Sequence, residues 1–72
     1  MLEVIDVFGE YIRDCRIAAG LTQKQLGEMC GYSEASADRV VQLWEHDKQP
    51  VPLDKIRILA KSLKIPIESL IP

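Results

Sequence analysis

Apolar residues recur every three or four positions along most of this chain, and the breaks in that rhythm mark the joints between helices. From residue 4 to 19 the apolar positions are Val4, Ile5, Phe8, Ile12, Cys15 and Ala19, one helical stripe with polar residues between them. Gly9 interrupts the stripe and weakens a helix interior by about 1 kcal/mol relative to alanine. Gly20 predicts the end of this first helix, as a left-handed residue just past it. A second helix is predicted over Gln23–Cys30. Thr22 is a good N-cap, and Gln25 at the third position after it closes a capping box. Leu26 and Met29 give this helix its apolar face, Gly27 lets a neighbouring helix approach, and Gly31 predicts its end.

The third segment is less regular. Ser33 and Ser36 both qualify as N-caps, and no strong breaker lies between Glu34 and Arg39, so the third helix begins near one or the other. Its secure part is Asp38–Glu45, with Val41 and Trp44 facing inward and Val40 beside them. His46 suits the helix end as a cap that offsets the dipole. Residues 46–51 read as a loop bracketed by Pro50 and Pro52, and Pro52 suits the start of a fourth helix over Leu53–Leu63. That helix has an apolar face of Ile56, Leu59, Ala60 and Leu63 and a polar face of Lys55, Arg57, Lys61 and Lys64. A last turn or short helix covers Ile67–Ile71. The expectation is one all-α domain over residues 1–72, a compact bundle of about five short helices. The apolar tail formed by Ile65, Ile67, Leu70 and Ile71 reads as a lid on the core, as a dimer contact, or as both.

Composition narrows the function. At 72 residues the chain is close to the size at which a single core becomes marginal. Only 6% of its residues are aromatic, so that core is mainly aliphatic. An enzyme cleft with its supporting shell does not fit, and no catalytic triad, carboxylate pair or phosphate loop is visible. No enzyme activity, cofactor or small-molecule substrate is expected. Cys15 and Cys30 fall at apolar helix positions and read as small buried hydrophobes, with a disulfide as the alternative. With one histidine and no Cys-x-x-Cys, a metal site lacks ligands. No run is apolar for long enough to span a membrane, so a cytoplasmic location without membrane association is expected. The net charge of −2 runs against nucleic acid. Its distribution is more permissive: Glu3, Asp6, Glu10 and Asp14 crowd the first helix, while Lys48, Lys55, Arg57, Lys61 and Lys64 come later.

Two helices crossing steeply, the second with polar residues turned away from the core, is how a chain presents a helix to the DNA major groove. The segments Gly20-Leu21-Thr22-Gln23, Leu26-Gly27, Gly31-Tyr32-Ser33, Val41, Trp44-Glu45 and the Leu53…Ile56…Leu59-Ala60…Leu63…Ile65-Pro66 pattern carry a resemblance. Over roughly residues 8–71 the chain resembles the phage-repressor/Cro-type, or Xre-type, helix-turn-helix family. The resemblance implies a sequence-specific DNA-binding transcriptional regulator, a repressor or controller, binding as a homodimer to a palindromic operator in double-stranded DNA. It places Thr22 and Gln23 where relatives cap the second helix and touch a phosphate. It places Asp38, Arg39, Val40, Gln42 and Leu43 on the base-reading stretch, where Arg39 suits guanine and Gln42 suits adenine. It also implies a partly buried ion pair between Arg16 and Glu45.

There are two departures from the family pattern. The Gly31–Trp44 stretch is longer by about four residues, roughly one helical turn. If that turn extends the third helix, Glu34, Ala35 and Ser36 lie nearest the groove floor. Asp47 stands where relatives carry glycine, and aspartate tolerates left-handed geometry. Glu34 and Asp38 either accept from cytosine N4 or balance the helix dipole. Lys24 and Lys48 are phosphate contacts or solvated lysines. The acidic balance motivates a second reading, a protein-binding module (antirepressor or toxin–antitoxin partner) that keeps the fold without binding DNA.

Overall fold

The first helix turns Ile12 onto a core whose largest member is Trp44. The computed structural model describes residues 3–70, with side chains from Phe8 onward. The described residues form α1 (Glu3–Ala18), α2 (Gln23–Met29), α3 (Ala37–Glu45), α4 (Leu53–Leu63) and a 3-10 helix over Ile67–Leu70. The bundle is thus four α-helices closed by one 3-10 turn, all-α as expected, with a radius of gyration of 11.0 Å. Ile12 from α1, Leu26 from α2, Val41 and Trp44 from α3, and Leu59 from α4 are all essentially inaccessible to solvent. Phe8 and Cys15 pack against this cluster from the α1 side. The expected contributions of Val4 and Ile5 lie outside the described side chains.

The helix ends share one device. After α1, the amide of Leu21 donates to the Arg16 carbonyl and that of Gly20 to Ile17. Tyr32 and Gly31 repeat the pattern on Gly27 and Glu28 after α2, Lys48 and Asp47 on Leu43 and Trp44 after α3, and Ile65 and Lys64 on Ala60 and Lys61 after α4. These paired bonds satisfy the last carbonyls of each helix and require one left-handed residue. Gly20 (φ 74°), Gly31 (φ 98°), Asp47 (φ 56°) and Lys64 (φ 59°) supply it. Asp47 therefore takes the left-handed position that glycine fills after α1 and α2.

Several expectations are corrected. α1 ends at Ala18, and Ala19 lies exposed outside it, because the turn at Gly20 closes one residue earlier than the apolar stripe suggests. Met29 does not join Leu26 in the core; it is 49% exposed, because α2 is a short helix that turns only its Leu26–Gly27 side inward. Leu70, named among the dimer-contact residues, is only 2% exposed and is buried in the chain's own core, while Ile65 and Ile67 are half-buried against it. The tail is a lid over that core, and Ile71 lies outside the described residues. Cys30 is fully buried, and both cysteines are free thiols. Burial pushes the Cys30 thiol above its ordinary value, with the Lys55 charge acting in the other direction.

Candidate nucleic-acid interface

The interface is built from the α2–α3 corner. Leu26 and Gly27 are buried against α3, and a Cβ on Gly27 would collide with the Ala37 backbone. The two helices therefore touch main chain to main chain, which fixes the start of α3 relative to α2. The capping box forms as expected: the Gln25 amide donates to Thr22 Oγ1 at 3.0 Å, and the Thr22 amide donates to Gln25 Oε1 at 2.8 Å.

α3 begins at Ala37, the Ser36 choice of the two starts. The preceding residues are not loose. The Ser33 carbonyl accepts from the amides of both Ser36 and Ala37, so residues 33–37 make one tight turn that runs directly into α3. Ser36 occupies the N-cap with helical backbone angles and makes no capping bond; its Oγ shares a hydrogen bond with Ser33 Oγ at 3.0 Å. Asp38, in the first turn, carries the negative charge that favours the helix start.

Along α3, Asp38, Arg39 and Gln42 are exposed, Leu43 is half-buried, and Lys48 is exposed just beyond the helix. The opposite side, Ala37, Val41, Trp44 and Glu45, is buried. The outward residues thus form one face, opposite the side by which α3 packs into the core. Behind them Trp44 meets Tyr32 edge to face, with ring centroids 5.8 Å apart, and the Lys55 ammonium lies 5.1 Å from the centre of the Tyr32 ring. Lys55 was expected on the solvent face of α4; this aromatic contact holds it half-buried.

The expected Arg16–Glu45 pair is present. Arg16 Nε donates to Glu45 Oε2 at 2.6 Å and Nη2 to Oε1 at 3.3 Å, with the carboxylate side chain only 2% exposed. Nη1 also donates to the Leu21 carbonyl at 2.9 Å. The third partner escaped the sequence reading: Gln23 Nε2 donates to Glu45 Oε1 at 3.0 Å. Gln23, expected at a phosphate, is thereby tied to the end of α3, so one carboxylate links α1, α2 and α3. Residue type alone gives no signal for this, since a helix-start glutamine is an ordinary polar surface residue.

Lys24 and Glu34 also meet, Nζ to Oε2 at 2.9 Å, with both side chains well exposed. Thr22 and Lys24 lie at the start of α2, Glu34 and Ser36 lead into α3, and Asp38, Arg39 and Gln42 continue along it, so the corner brings most of the expected DNA-contact positions together. Lys48 lies at the far end of α3.

Among the described residues, no cluster of histidine, cysteine and carboxylate side chains could hold a metal ion, and no helix is long and apolar enough to cross a membrane. The searches of curated proteins and of solved structures give no match. The sequence model of a family described as helix-turn-helix matches residues 12–70, which takes in the α2–α3 corner, the ion pair that braces it and the whole of α4. On that match, and with this geometry, the chain belongs to the Xre-type helix-turn-helix family.

Proposed function

We propose that this protein is a sequence-specific DNA-binding transcriptional regulator that inserts α3 into the major groove. The observation that carries the proposal is the exposed α3 face, Asp38, Arg39 and Gln42, held by a buried carboxylate anchor and a glycine-tight crossing to α2. A rigid helix with long polar side chains is what base-edge recognition needs. Arg39 and Gln42 are the base readers, and Thr22, Lys24 and Lys48 are the backbone contacts.

A single recognition helix binds a short site weakly, so we propose a symmetric dimer on a palindromic operator, acting as a repressor or controller in the cytoplasm. With Leu70 committed to the chain's own core, an interface at this end uses the exposed parts of Ile65 and Ile67, together with Ile58 on α4.

Fluorescence anisotropy with duplex DNA from upstream of the protein's own coding sequence tests the proposal. Arg39→Ala is expected to weaken specific binding by about ten-fold or more, equivalent to roughly 1–3 kcal/mol for one good base contact. Binding that is indifferent to both Arg39 and Gln42 contradicts it. The protein-binding alternative draws on the two acids beside the reading face, Glu34 and Asp38; no binding to any duplex would favour it.

A further inference from the structure

We propose that Glu34 is an internal competitor for DNA phosphate: it occupies the Lys24 ammonium and so lowers the sequence-independent part of DNA affinity. The inference rests on the DNA-binding reading above and adds to it a residue that sets the strength and salt dependence of binding.

Lys24 is the second residue of α2, on the side of the corner from which α3 emerges. Its ammonium lies 2.9 Å from a Glu34 carboxylate oxygen. Glu34 belongs to the tight turn between Ser33 and Ala37, which leads directly into α3. The turn has no apolar contribution to explain it, since Glu34 and Ala35 are both exposed. What it does add is a carboxylate, at one of the few cations near the start of the reading face. An exposed pair of this kind is weak, so a phosphate can displace the carboxylate. The exchange replaces one anion by another. It leaves Glu34 unpaired beside the DNA, where it draws a cation back and cancels the counterion release that a free lysine would produce.

The test titrates wild type, Glu34→Gln and the double variant Lys24→Gln/Glu34→Gln onto one mixed-sequence DNA duplex at a series of salt concentrations. Both positions are exposed, and matching circular dichroism spectra establish that the variants fold. Glu34→Gln is expected to bind more tightly at low salt. Its plot of log affinity against log salt should steepen by about 0.9, so that between about 50 and 200 mM it loses roughly 3.5-fold more affinity than wild type. The double variant should return to the wild-type slope. Wild-type binding with an unchanged slope in Glu34→Gln overturns this proposal alone. A slope that stays steep in the double variant also overturns it, because Glu34 would then act without Lys24. Absence of binding by every variant overturns the DNA-binding reading and this proposal together.

Discussion

Lys64 is the residue least suited to its backbone. Lysine is a good helix former, yet here it ends α4 at φ 59°, in the region glycine adopts freely. At the equivalent positions after α1 and α2 the chain does use glycine, and after α3 it uses Asp47. Those three turns were legible in the sequence because glycine and aspartate announce left-handed geometry. The end of α4 at Leu63 was expected as well, but the left-handed Lys64 that closes it was not, because a lysine on the polar face of an amphipathic helix gives no sign of that geometry. Pro66, two residues on, is the physical reason that the helix must stop. Lys64 is exposed, so its replacement loses no packing. Lys64→Gly is therefore expected to stabilise the protein by about 0.5–1 kcal/mol, read as a rise in Tm of roughly 4 °C. A fall in Tm would mean that the lysine side chain makes a contact worth more than the strain.

Gly9 and Gly27 govern how the helices meet. From sequence, Gly27 predicts a close approach, and the structure places it against the backbone of Ala37. Gly9 reads as a weak point in α1, because a lone glycine inside an apolar stripe resembles lost helix propensity. The structure instead buries it against α3, where a Cβ would collide with the carbonyls of Trp44 and Glu45. These are backbone atoms, and they belong to the helix end that Arg16 also anchors, so nothing there can step aside. The two accounts predict opposite signs for Gly9→Ala. Helix propensity alone would make alanine stabilising by about 1 kcal/mol. The packing account predicts a loss of about 1–3 kcal/mol and a Tm lower by roughly 10 °C. A thermal melt decides between them. The turn before α3 was the other element that sequence left open. Two serines compete for the N-cap, and the choice fell to Ser36 because the Ser33 carbonyl captures two successive amides and completes a turn of its own.

For the whole molecule, an acidic chain of net charge −2 presents one helix face carrying Arg39 and Gln42, with Lys48 at its far end. The bundle was legible because periodicity, caps and the family resemblance agreed on it, and the Arg16–Glu45 brace because the resemblance implied it. The polar contacts that tune the site were not. Gln23 to Glu45 and Lys24 to Glu34 join residues far apart in sequence, and only the α2–α3 crossing brings them within reach. The central claim is that α3 reads DNA sequence. Selection from random duplex DNA followed by sequencing tests it most directly, run in parallel on wild type and Arg39→Ala. The account predicts an enriched palindromic motif for wild type, with half-sites about one helical turn apart, and altered or relaxed preference at one position of each half-site for Arg39→Ala. No enrichment by wild type, or the same motif enriched equally by both proteins, would contradict it.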